Sequence, residues 1–87
     1  MAFRDINPQS PVHVLVIPKS HVGSLLELDD DSLSAHLLRV VQKVAGREEI
    51  AESGFRVVAN NGENGGQTVG HLHWHVLGGR FHVWPPG

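Results

Sequence analysis

Gly70-His71-Leu72-His73-Trp74-His75-Val76-Leu77-Gly78-Gly79-Arg80 is the stretch on which the reading of the fold turns. Its histidines alternate with Leu72, Trp74 and Val76, and strict polar/apolar alternation is the period of a half-buried β-strand. In an extended strand, side chains two residues apart share a face. His71, His73 and His75 are therefore expected along one side while Leu72, Trp74 and Val76 enter a core. Three of the chain's seven histidines fall in this run, which makes an imidazole-lined face its most unusual feature.

Upstream of it, Asn61-Gly62-Glu63-Asn64-Gly65-Gly66-Gln67-Thr68 is a glycine-rich loop between two strand-like runs. Asn-Gly is a strong hairpin signal, but the loop is long for a hairpin, and glycines let backbone N–H groups approach an anion closely. Phe55 to Asn60 precedes it as a strand. Further back, Asp29, Asp30, Asp31 and Ser32 place side-chain oxygens and negative charge where a helix N-terminus binds them. Leu33, Leu37, Val40 or Val41, and Val44 then recur at helical spacing, with the helix fading near Gly46. Leu38 and Val41 broaden that stripe, either as a wide core face or as a face for a partner.

Nearer the N-terminus, Val12 to Ile17 is a β-branched run ending at Pro18, with His13 its one polar intrusion. Ala2 to Ile6 alternates weakly and leads into the turn Asn7-Pro8-Gln9-Ser10-Pro11. The tail, residues 79–87, ends in Trp84-Pro85-Pro86-Gly87 and cannot form a regular element through its prolines. The pattern predicts one α+β domain over residues 1–87, with four antiparallel strands and one long helix.

Composition narrows the function. A net charge of -2 with no basic stripe leaves no footprint for nucleic acid. The longest apolar run, Val14 to Ile17, falls far short of the ~20 residues that span a bilayer, so no membrane role is expected. With no positively charged apolar leader, the chain reads as non-secreted and cytoplasmic. Zero cysteines excludes a disulfide scaffold and thiolate catalysis. Eighty-seven residues allow only a modest core, for which dimerisation is a natural supplement.

Three readings of the histidine row remain open at this point. It is a polar strand face and no more; or it is a metal site, His13 joining two neighbours; or each imidazole has its own task in phosphoryl transfer. The metal reading is restricted by geometry. His71 and His75 have Cα atoms about 13 Å apart in a strand, whereas zinc needs nitrogens within about 2.1 Å. Phosphoryl transfer needs a nucleophile, donors for the non-bridging oxygens and an acid for the leaving group. Neighbouring imidazoles oppose each other's protonation and keep one nucleophilic near neutral pH. The glycine-rich loop suits such an anion.

His71-Leu72-His73-Trp74-His75-Val76-Leu77 resembles the His-φ-His-φ-His-φ-φ signature of the histidine triad (HIT) superfamily, φ being apolar. Phe3-Arg4-Asp5-Ile6-Asn7-Pro8-Gln9-Ser10-Pro11-Val12-His13, Val16-Ile17-Pro18-Lys19, Gly65-Gly66-Gln67-Thr68-Val69, Leu77-Gly78-Gly79-Arg80 and Trp84-Pro85-Pro86-Gly87 are similar to its Hint branch, the histidine triad nucleotide-binding proteins. The resemblance implies a homodimeric hydrolase of purine nucleoside 5′-phosphoramidates that releases the nucleoside monophosphate and an amine, without metal or cofactor. It implies His73 as nucleophile, His75 at a phosphate oxygen and the leaving amine, and His71 and His13 in the relay orienting His73. Asn60, Gly66 and Thr68 would hold the phosphate, Asp5 the ribose, and Phe3 and Ile6 the base, with Trp84 reaching the partner's site. It also implies an N-terminal helix and strand ahead of Met1, without which the base pocket is incomplete. A catalytically weak nucleotide-binding or scaffold dimer and a dinucleoside polyphosphate hydrolase are the alternatives. His21, His36 and His82 read as surface or packing residues.

Overall fold

The computed structural model describes residues 1–87. The chain runs β1 (Ala2–Arg4), β2 (Val12–Val16), a 3-10 turn (Leu25–Glu27), α1 (Asp31–Arg47), β3 (Phe55–Val58) and β4 (Trp74–Gly78). The strands form one antiparallel sheet in the order β1-β2-β4-β3, so the last strand in sequence lies inside the sheet. That insertion puts β4, which carries His75, between β2 and β3, where neighbours on both sides fix its backbone.

Register then sorts the side chains. His13 lies opposite Leu77 and Leu15 opposite His75; Phe3 lies opposite Leu15. Residues directly opposite share a face, as do residues two apart, so Phe3, His13, Leu15, His75 and Leu77 belong to one side of the sheet. The other side carries Val14, Val16 and Val76, all buried, and α1 packs there through Leu37, Val41, Val44 and Ala45. Those four helix positions recur at i, i+4, i+7 and i+8, the stripe the sequence predicts. Val41 belongs to that core, whereas Leu38 is 52% exposed and lies outside it.

Local chemistry sets the helix ends. Asp30 is the N-cap, its Oδ1 accepting from the Leu33 N–H at 3.0 Å, as the acidic run predicts. At the other end the Ile50 N–H bonds back to the Ala45 carbonyl at 3.0 Å while Glu49 adopts a φ of 60°. This is the wrap of a Schellman stop, with glutamate where glycine usually sits. Ile50 is thereby turned into the core, against Gly78.

The expected strand through residues 71–77 is shorter than the alternation suggests: β4 begins at Trp74, and His71 to His73 precede the ladder. The reason is a local competition for backbone groups. The Leu72 N–H bonds to the Val22 carbonyl at 2.6 Å, outside any strand pairing, and the His73 ring folds back onto the His71 carbonyl. Leu72 is still fully buried, so the core prediction holds although the backbone there is irregular. Trp74 is only half-buried. The first and third strands also stop early, at Arg4 and Val58. After β4 the chain turns at Gly79, at a φ of 86°, and runs to Gly87 without regular structure. No helix is long and apolar enough to cross a membrane.

Candidate active site

The hydrogen bonds around the histidines determine which ring nitrogen holds each proton. A carbonyl oxygen can only accept, so His73, whose Nδ1 is 2.8 Å from the His71 carbonyl, carries its proton there. A neutral His73 therefore presents a bare lone pair at Nε2. In the same way the Gln9 N–H donates to His13 Nδ1 at 3.0 Å, which leaves the His13 proton on Nε2. His13 Nε2 lies 2.9 Å from His75 Nδ1, so His13 donates, His75 accepts, and the His75 proton is on Nε2. The sequence Gln9 N–H, His13, His75 is one polarised relay. At its end is the His75 Nε2–H, on a ring that meets the His73 ring edge to face with centroids 4.9 Å apart.

Burial supports this protonation pattern. Desolvation by burial holds the His75 pKa below the usual histidine value, reinforced by the neighbouring His73 and His13 and opposed by the carboxylate of Asp5. His13 itself is 5% exposed, a buried polar residue in a β-branched strand whose two nitrogens are both satisfied. Asp5 points at the same cluster: Oδ2 is 3.5 Å from His13 Nε2, and Oδ1 accepts from the Asn7 N–H at 2.8 Å.

The two other implied relay residues, His71 and His13, bond in different ways. His71 serves His73 through its backbone carbonyl; its ring turns away, Nε2 to the Pro18 carbonyl at 3.2 Å and Nδ1 to His21 Nδ1 at 3.4 Å. The irregular backbone before Trp74 causes this, since a continuous strand would keep all three rings in one row. His13, in turn, contacts His75 and not His73. His21, read from the sequence as a surface residue, is indeed exposed, and its ring lies tilted against that of His71 with centroids 5.3 Å apart.

The glycine-rich loop folds on itself. Asn60 Nδ2 donates to the Gly65 carbonyl at 2.6 Å, and the Gly66 N–H donates to the Glu63 carbonyl at 3.0 Å. Gly66 has a φ of 76°, and a Cβ there would lie 3.8 Å from Asn60 Nδ2, so these two implied phosphate ligands are neighbours. The Gly66 N–H, which the resemblance assigns to the phosphate, closes the loop's own turn in this structure. The residue that holds the loop is Gln67, which sequence reasoning passed over. Its Nε2 donates to the Gly23 and Val69 carbonyls at 2.8 and 3.0 Å, and its Oε1 accepts from the Gly62 N–H at 2.9 Å. Only its place after two glycines marks it in the sequence. Phe3, Ile6, Thr68 and Trp84 are exposed, Trp84 at 82%. The largest concavity, about 670 Å³, is a shallow polar cleft walled by His21, Glu27, Asn61, Glu63, Gln67 and Thr68. His73 and His75 are not among its walls.

Asp5, His13 and His75 also have ligand atoms within 4.8 Å of one another, the spacing of a metal site. Their chemistry does not suit one. A cation would need the lone pair of His13 Nε2, yet the Gln9 N–H at Nδ1 requires the His13 proton to be on Nε2.

Comparison with known proteins gives the family of this fold. The HIT domain sequence profile matches residues 1–82. The chain is 53% identical over 89 residues to an uncharacterized HIT-like protein of Synechococcus elongatus, covering 100% of this chain and 77% of that protein. It is 51% identical, with the same coverage, to an uncharacterized HIT-like protein of Synechocystis. Among solved structures, a HIT family hydrolase from Legionella pneumophila superposes with a TM-score of 0.95 at 46% identity, covering 99% of this chain and 79% of that one. A histidine triad protein from Clostridium difficile superposes with a TM-score of 0.86 at 43% identity, covering 92% and 71%. The chain belongs to the HIT domain family, and its α+β fold is that of the HIT family hydrolases.

Proposed function

We propose that this chain hydrolyses purine nucleoside 5′-phosphoramidates through a nucleotidyl-histidine intermediate on His73. The observation that carries the reading is the bond from His73 Nδ1 to the His71 carbonyl at 2.8 Å, which leaves Nε2 as a free in-line nucleophile. As Nε2 attacks the α-phosphorus, the P–N bond breaks and the nitrogen leaves as an amine, its proton supplied from solvent through His75. Water then attacks the same phosphorus, the N–P bond to His73 breaks, and nucleoside monophosphate departs, so that one water is added across the P–N bond.

His75 Nε2–H donates to a non-bridging phosphoryl oxygen. Asn60, Gly66 and Thr68 supply the remaining phosphate contacts once the loop opens its internal bonds, and Asp5 accepts from the ribose hydroxyls. Phe3 and Ile6, both exposed, carry the base. The exposed Phe81, Val83 and Trp84 support a homodimer in which Trp84 reaches the second site. No metal or cofactor takes part in these steps.

The test is release of AMP from adenosine 5′-phosphoramidate by the purified 87-residue chain with His73→Ala alongside. Turnover abolished by the substitution supports the reading. Equal inactivity of both proteins, with nucleoside monophosphate still bound, would replace it with a nucleotide-binding domain.

A further inference from the structure

We propose that Ser10 and His82 are positioning residues for the catalytic relay: the C-terminal tail clasps the Gln9-Ser10 turn and thereby sets the tautomer of His13. The turn is Asn7-Pro8-Gln9-Ser10-Pro11, and because proline has no N–H, only Gln9 and Ser10 can offer backbone donors between the two prolines. The Gln9 N–H is the group that donates to His13 Nδ1 at 3.0 Å. Everything downstream, the His13 Nε2 proton and its delivery to His75 Nδ1 at 2.9 Å, depends on where that N–H points.

What holds the turn in place is the tail. Ser10 is 7% exposed, a buried hydroxyl, and its Oγ lies 2.7 Å from His82 Nε2. Arg80 Nη2 donates to the Gln9 carbonyl at 3.0 Å, on the other side of the same peptide turn. Gly79 approaches Pro11 so closely that a Cβ would be 2.9 Å from the Pro11 Cβ. Contacts from residues 79, 80 and 82 thus reach the three turn residues 11, 9 and 10. The tail is itself anchored, since Arg56 on β3 donates through Nη2 to the His82 and Val83 carbonyls at 3.1 and 2.9 Å. Burial, with Arg80 and Arg56 adding positive charge, holds the His82 pKa below its usual value, so the ring is a neutral partner for the Ser10 hydroxyl. Neither Ser10 nor His82 touches His73, and their effect passes through His13.

The kinetic part of this inference rests on the phosphoramidate reading; the tautomer part does not. Long-range proton–nitrogen correlation spectra of the nitrogen-labelled chain near neutral pH report which ring nitrogen of each histidine carries the proton. The wild-type protein, Ser10→Ala, His82→Leu and His82→Gln are compared, Gln carrying its amide where His carries Nε2. The wild type shows His13 protonated at Nε2 and bare at Nδ1. Ser10→Ala removes one oxygen only, so it tests the clasp with the fold intact. It and His82→Leu move both His13 nitrogens toward averaged values and lower kcat about threefold to tenfold with KM within about twofold, the factor that one hydrogen bond's net worth gives. His82→Gln restores both readouts. An unchanged His13 pattern in Ser10→Ala and His82→Leu overturns the proposal, as does a kcat loss that His82→Gln does not recover. If the wild type turns over no phosphoramidate, the function reading fails while the spectra still decide the clasp.

Discussion

His13 Nε2 lies 2.9 Å from His75 Nδ1, bridging β2 and β4 from a position that the sequence shows only as one polar residue in a β-branched run. Because the Gln9 N–H occupies the other His13 nitrogen, the bond has a direction, from His13 to His75.

That direction distinguishes two substitutions. His13→Ala removes the acceptor of the Gln9 N–H and the donor to His75, each bond having a net worth of about 0.5–1.5 kcal/mol. His13→Gln keeps a donor near the Nε2 position. Urea denaturation and AMP release measured on both variants should show Gln retaining more of each property than Ala. Equal loss in the two would show that volume, not the directed bond, is what matters at this site.

The buried environment of His75 gives a pH dependence of folding. Its pKa is held below the unfolded value of 6.5, chiefly by desolvation. Between the lowered value and 6.5 the unfolded chain binds more protons, so stability falls as pH drops through that window and is unaffected by His75 above it. Thermal melts from pH 8 down to pH 5 should show this decline, and His75→Gln should flatten part of it. A wild-type curve that rises on acidification would contradict the assignment of His75 as a neutral, desolvated ring.

Leu72 sits between His71 and His73 with its side chain fully buried among Val16, Val76 and Leu37. Leu72→Ala should cost about 2–5 kcal/mol, the range for a large-to-small change in a packed core. Because the neighbouring carbonyl of His71 fixes the His73 proton, activity should fall at temperatures where the variant is still folded. Chemical denaturation paired with kinetics below the melting temperature checks both. A stability loss with undiminished kcat would detach the core from the orientation of His73.

The alternation of residues 71–76 correctly sends Leu72 and Val76 into the core, and the acidic run at 29–31 correctly starts the helix, because periodicity and capping are local properties. The start of β4 is not local. It depends on a bond from the Leu72 N–H to Val22, fifty residues earlier in the chain, which no window around the histidines contains. The same holds for the His71–His21 contact and the Ser10–His82 bond, each a meeting of remote residues of ordinary type. For the loop, the sequence shows the glycines but not that Asn60 and Gly66 spend their donors on the loop's own carbonyls. Fold class and histidine positions are thus local information; ring orientation is tertiary.

The central claim, covalent attack by His73 Nε2, has a stereochemical signature. An adenosine 5′-phosphoramidate carrying sulfur at one non-bridging position, of known configuration at phosphorus, is hydrolysed by the chain in oxygen-18 water, and the configuration of the thiophosphate product is read by phosphorus NMR. Two successive in-line displacements, first by His73 and then by water, predict retention. Inversion would mean a single displacement by water, and His73 would then not be the nucleophile.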